Sequence, residues 1–298
     1  MHKFISWNQW ECYDLETAHA LDVALVTYAA EAELSKVQMA YLHAGVELAL
    51  PSCKGQLHWL HSCNLGMLNS QPAVHTLAMP RAAALLIGVT LSQMGHPWMG
   101  ALVVIQQARG MRPGEVLNLL GKDVTLPEDG VYNVGMLTLR QTKAGRAQAV
   151  RLDPQQHGLE LALLRYCRKH TPSESKISRG VTVSSYSGYI RRTARRLGLP
   201  DYTSHSPRAG FVSDSWLRGD DFVLIRETGR WLSDRTLRLY CDAVSTIHQA
   251  HAGPLRQWIN VAQCIEQQPS RFFPQLSFKH VVNPSWLRCN FDLFHSVM

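Results

Sequence analysis

Only one part of this 298-residue chain alternates as a β-strand does. Val131–Gln141 and Ala147–Leu152 read as two strands. Thr142-Lys-Ala-Gly-Arg146 joins them as a hairpin loop with the glycine such loops favour. Elsewhere apolar residues recur at helical spacing, as Ala18, Leu21, Ala24, Leu25 and Tyr28 do. The expected fold is mostly α, of α+β type, with one small antiparallel sheet.

Breakers divide the helical text. Helical spacing runs from Leu15 to Ala49 and repeats over Val37–Leu50, before Pro51 punctuates it. A helix is expected over Lys54–Leu65 and a loop over Asn69–Pro72. Pro80 suits the start of a helix to about Gln93, and Met99–Gln107 follows as an apolar one. After the Gly110-Met-Arg-Pro-Gly turn come helices at Glu115–Leu120, Leu159–His170 and Ser187–Gly198. Further helices are expected at Arg208–Leu217, Asp220–Glu227, Asp234–Cys241 and Leu255–Gln267. The first 14 residues and the aromatic last 30 show no period.

The net charge of +7 is unevenly spread. Residues 1–95 hold four Lys/Arg and seven Asp/Glu, a net of −3, whereas residues 101–253 hold 22 and 14, a net of +8. That imbalance favours a polyanionic partner for the middle of the chain. No apolar run is long enough to span a membrane, and the first residues lack the apolar stretch of a signal peptide. The seven cysteines are scattered, with no CxxC pair, as expected of reduced thiols in an intracellular protein. Cys53, His58, His61 and Cys63 crowd together, but C-x4-H-x2-H-x-C is not a zinc-finger spacing. An ordinary helix is expected there, and no metal.

His205–Tyr240 concentrates reactive groups: His205 and Arg208 three apart, then Trp231 and Tyr240 nine apart. Metal-free attack on a phosphodiester puts extra charge on the non-bridging oxygens, and planar guanidinium forks meet it best. A phenol nucleophile needs a base or a cationic site, and the leaving oxygen needs an acid such as lysine. Two Arg, a Lys, a His and a Tyr are therefore the minimum. The chain supplies Arg112 at a turn, Lys143 at the hairpin tip, then His205, Arg208 and Tyr240.

In that order the chain resembles the tyrosine recombinases of the phage-integrase type. Gly110-Met111-Arg112-Pro113-Gly114-Glu115 matches the family's Gly-aliphatic-Arg-x-x-Glu turn. Thr142-Lys143-Ala144-Gly145 matches its hairpin lysine, and Tyr240 stands nine residues after Trp231 at the family's His/Trp position. Gly229-Arg230-Trp231 is closer to divergent mobile-element members than to the bacterial Leu-Gly-His form. The resemblance covers about residues 75–250.

The resemblance implies a helical core-binding-like domain over 1–75, a catalytic domain over 76–252 and a tail over 253–298. Tyr240 attacks the scissile phosphate, giving a 3′-phosphotyrosyl link and a free 5′-hydroxyl. Arg112 and Arg208 clamp the non-bridging oxygens, and Lys143 protonates the leaving oxygen. His205 assists as base and donor, Trp231 packs on the tyrosine helix, and Glu115 braces Arg112. Arg191, Arg192, Arg195, Arg196 and Arg230 are candidate DNA contacts. The implied partner is double-stranded DNA, with a homotetramer assembled on two sites. No cofactor is implied, and the place is with DNA inside the cell, nuclear in a eukaryote. A type IB topoisomerase and a decayed or domesticated DNA-binding protein remain alternatives.

Overall fold

The computed structural model describes residues 2–13, 15–70, 76–140, 147–242, 253 and 255–276. The chain forms two compact units, residues 1–75 and 76–298. Among the described residues the first holds the helices α1 (His2–Glu11), α2 (Ala18–Glu31), α3 (Lys36–Ala49) and α4 (His58–Ser70). Thr17 caps α2, and Ser35 with Gln38 forms a capping box on α3. Asp22 is buried within α2 because its carboxylate takes the N–H groups of Trp59 and Leu60, at 2.8 and 2.9 Å, at the start of α4. Leu21, Leu25, Met39, Val46, Leu57 and Leu60 fill the core. Phe4 joins them from α1, so the first residues are helical rather than irregular. The helix after Pro51 begins at His58, because residues 51–53 form a 3-10 turn first. Cys53 and Cys63 pack against this core, and the His61 ring sits 5.6 Å from that of His43.

The second unit is built on α5 (Arg81–Gln93) and α6 (Pro97–Arg109). These cross at Gly88 and Gly100, where a Cβ on Gly100 would fall 2.2 Å from the Gly88 carbonyl oxygen. The chain continues through α7 (Pro113–Leu117), β1 (Val124–Thr125), β2 (Gly135–Leu139) and β3 (Gln148–Leu152). The sheet is antiparallel in the order β1-β2-β3, with Gly135 opposite Leu152 and Leu139 opposite Gln148. The first strand of the expected hairpin starts four residues late. Val131 and Tyr132 are instead exposed in a turn after Asp129, whose carboxylate takes the Leu126 N–H. β1, too short for alternation to reveal, completes the sheet. The hairpin loop 141–146, with Lys143, lies outside the described residues.

Helices α8 (Gly158–Lys169), α9 (Val183–Arg196), α10 (Ser206–Leu217), α11 (Phe222–Gly229) and α12 (Asp234–Asp242) follow. α9 begins four residues before the expected Ser187, because the Thr182 hydroxyl caps it at Ser185. α13 (Ile259–Gln267) and α14 (Pro269–Phe272) come from the stretch expected to be a tail. They belong to this unit's core: Leu255, Ile265 and Phe273 are buried with the α5 and α6 residues. Among the described residues no helix is long and apolar enough to cross a membrane.

Candidate active site

Three corners of the second unit meet at Phe211, on the first turns of α10. The α6–α7 corner needs Gly110, which has φ +56°, and a Cβ there would lie 2.5 Å from the Phe211 ring. The α11–α12 corner needs Gly229, where a Cβ would lie 2.7 Å from the Trp231 indole nitrogen. The third corner is the start of α10, with His205 at its N-cap.

Gln106 joins two of these corners. Its side-chain amide donates to the Ser204 carbonyl at 2.8 Å and to the Met111 carbonyl at 3.2 Å, and its oxygen accepts from the Tyr186 hydroxyl at 2.9 Å. The residue is wholly buried with each of these bonds made. It holds the turn that carries Arg112 against the one that carries His205 and Arg208. Reading the sequence for reactive groups missed it. The available signal was a glutamine pair in the otherwise apolar ALVVIQQ run of α6.

Arg112 is the N-cap residue of α7, half-buried, and Glu115 holds it twice. The Glu115 carboxylate accepts from the Arg112 backbone N–H at 2.8 Å and from Nη1 at 2.7 Å. Arg112 Nη2 donates to the Arg230 carbonyl at 3.3 Å. Glu115 is buried, yet its carboxyl stays below the usual range. Burial alone would raise it, and the Arg230 charge together with the Arg112 and Arg230 hydrogen bonds outweighs that.

Arg208 differs. It is 5% exposed, donates one hydrogen bond to the Gly110 carbonyl, and leaves Nη2 without a partner among the described residues. No carboxylate of the described residues pairs with it. Burial, then the Arg112 cation, pushes its pKa down to about 9. Its guanidinium lies 4.2 Å from the Trp231 ring centre, a cation–π contact. Trp231 in turn sits 5.1 Å from the Tyr240 ring, centre to centre, with the planes tilted by 53°. The Trp231 N–H has no acceptor among the described residues. Leu237 and Cys241, either side of the half-buried Tyr240, are buried with Phe211, Val212 and Ile225 and dock α12 on its own chain's α10. Burial raises the Tyr240 pKa and the nearby Arg208 charge lowers it, with burial prevailing. His205 presents an exposed ring whose pKa falls, from partial desolvation first and then from Arg208 and Arg112.

The structure thus brings together Arg112, Glu115, His205, Arg208, Arg230, Trp231 and Tyr240. Arg191, Arg192, Arg195 and Arg196 stand exposed along α9. Arg195 is paired with Asp201 at 2.5 Å, and Arg192 lies 5.0 Å over the Tyr189 ring. Arg230 turns inward, with its side chain 8% exposed and its Nη2 bonded to Glu115 at 2.9 Å. Two guanidiniums therefore hold one carboxylate and a third, that of Arg208, stands near it, an arrangement that attracts a dianion or the charge of a phosphodiester in reaction.

No family model matches the sequence, and no curated protein matches it. Among solved structures, the chain is similar to a XerA recombinase at 17% identity, with 84% of this chain and 90% of that one covered and a TM-score of 0.45. It is similar to a lambda integrase dimer bound to a COC′ core site at 13% identity, with 81% and 95% covered and a TM-score of 0.45. A XerH site-specific recombinase in a pre-cleavage complex with its difH substrate is 16% identical, with 75% of each chain covered and a TM-score of 0.43.

Proposed function

We propose that the chain is a metal-independent DNA strand transferase of the tyrosine recombinase kind, acting as an integrase or site-specific recombinase. The carrying observation is Arg208: a buried guanidinium without a carboxylate partner among the described residues, against Trp231, which in turn contacts Tyr240. A buried cation without a counter-ion is costly unless a ligand supplies one. A scissile phosphate is the anion that a neighbouring phenol can also attack. The ordered motif set in the sequence supports the same reading.

In the proposed reaction Arg112 and Arg208 hold the two non-bridging oxygens. The Tyr240 phenolate oxygen bonds to phosphorus as the bond to the 5′-oxygen breaks, leaving a 3′-phosphotyrosyl ester. The departing 5′-oxygen takes a proton, the role proposed for Lys143. His205, held neutral by its surroundings, can accept the phenol proton. Attack by another strand's 5′-hydroxyl reverses these steps. The exposed α9 arginines are proposed to meet the DNA backbone. The helical unit of residues 1–75 is proposed as a core-binding-like domain, residues 76–252 as the catalytic domain, and a homotetramer on two sites as the exchanging assembly.

The test uses duplexes of random sequence around a central nick, since a nick lets the cleaved end diffuse away and traps the covalent state. The expected result is a detergent-resistant protein–DNA adduct that Tyr240→Phe abolishes. Absence of any Tyr240-dependent adduct, with DNA still retained, overturns the strand-transferase reading in favour of a DNA-binding protein without turnover.

A further inference from the structure

Arg230 occupies a backbone position that side chains rarely adopt. It closes α11 in the left-handed region, at φ +57° and ψ +49°. Glycine is the ordinary residue for such a cap. An arginine there carries backbone strain, so its side chain must return something. The contacts show what. Nη1 donates to the Thr228 carbonyl at 2.9 Å and Nη2 to Glu115 at 2.9 Å, while the Arg230 carbonyl accepts from Arg112 Nη2 at 3.3 Å. The residue grips the Glu115–Arg112 pair from both its ends. Trp231, which supports Arg208, is the next residue in the chain.

Charge gives the second argument. Glu115 and Arg112 alone form a neutral pair, whose carboxylate competes with any anion for the Arg112 fork. Arg230 adds a second cation to that carboxylate from a nearly solvent-free position. The trio then carries net positive charge, and Arg208 adds to it. We infer that Arg230 is a positioning residue of this site: it neutralises Glu115 so that Arg112 stays available to phosphate, and it fixes the Trp231 turn against the Arg112 turn. The inference rests on the reading of this site as a phosphodiester centre.

The test uses the full chain with inorganic phosphate as the probe, titrated by calorimetry, so it needs no DNA site and no turnover. Arg230→Gly relieves the backbone and deletes the guanidinium. A role confined to shaping the corner predicts phosphate affinity equal to wild type, and that result overturns the inference. The expected result is affinity roughly tenfold weaker, from the loss of one charge-assisted contact network. The melting temperature should hold. Arg230→Lys, which keeps the charge and loses the fork, should fall between the two. In a Glu115→Gln background the further loss caused by Arg230→Gly should largely vanish, and an undiminished loss there overturns action through Glu115. The two readings fail separately. Weakened phosphate binding without any Tyr240-linked adduct removes strand transfer and leaves the role of Arg230 standing. An adduct from wild type, with unchanged phosphate affinity in Arg230→Gly, removes this inference alone.

Discussion

Two buried arginine centres in the second unit have opposite balances. Around Glu115 two guanidiniums share one carboxylate, and Arg208 adds a third cation nearby that pairs with no carboxylate of the described residues. Around Arg81 the ratio inverts: Glu160 lies 2.6 Å and Glu266 3.1 Å from its guanidinium, and Asp214 takes its backbone N–H at 2.7 Å. The effect on the arginines is opposite too. Burial would lower the pKa of Arg81, but Glu160 and then Glu266 outweigh it and the pKa rises. Arg208 has no such partner among the described residues and falls to about 9. An arginine that holds a fold together brings its carboxylates with it. One that holds a ligand leaves a place for them, and stability is lost there in exchange for binding.

Breaking the acid-rich centre should produce the largest change. Glu160 is 1% exposed, so Arg81→Met strands a buried carboxylate and loosens the Glu266 contact that ties α13 to α5. A loss of about 3–5 kcal/mol in denaturant unfolding is expected, since removing one partner of a buried ion pair leaves an uncompensated charge. Phosphate affinity of the protein that remains folded should match wild type. A stable Arg81→Met variant would mean that the Arg81 pairs contribute little.

The same substitution in the other centre should behave in the opposite sense. Arg208→Met removes an uncompensated cation from a buried place, so the unfolding midpoint should hold or rise. Adduct formation should drop about 10²–10³-fold, the usual cost of one missing oxyanion donor. The comparison collapses if Arg208→Met unfolds the protein as Arg81→Met does, because Arg208 would then be a structural arginine as well.

This contrast was partly legible in the sequence. Arg112, His205, Arg208 and Trp231 stand at turns and helix starts, where punctuation placed them, and Tyr240 stands inside α12, where its nine-residue spacing from Trp231 marked it. Gly110 and Gly229 were visible as breakers, although their reason, the Phe211 ring between two corners, is tertiary. What stayed hidden depends on where side chains turn. Arg230 reads as one more basic residue beside Trp231, and only the geometry directs it inward to Glu115. Gln106 reads as a polar interruption of an apolar helix, and its partners lie 5, 80 and 98 residues away. That residues 255–273 join the core was hidden as well, because Leu255, Ile265 and Phe273 enter it from separate turns. Periodicity reports one face of one element, whereas both charge centres join residues from several.

Asp214 sharpens the comparison on a smaller scale, because the acid-rich centre is itself out of balance. Its carboxylate accepts from the Arg81 N–H and from the Gln107 side-chain amide, each at 2.7 Å. Burial still pushes its pKa up to about 6, against the pull of the Arg81 backbone bond, Arg218 and Arg81. A carboxyl whose folded pKa is raised stabilises the fold most when protonated. Its contribution is complete below the unfolded value near 3.9 and is lost as the pH climbs through about 6. At neutral pH the charge costs at most about 3 kcal/mol, two pKa units at about 1.4 each. Asp214→Asn cannot ionise, and its amide oxygen can still accept both N–H groups. The variant should therefore gain stability over wild type as the pH rises from about 4 to about 7, with adduct formation unchanged. Unfolding curves that run parallel across that range would show that Asp214 has a partner strong enough to ionise it. The acid-rich centre would then be balanced, and only the Glu115 centre would keep an unmet charge.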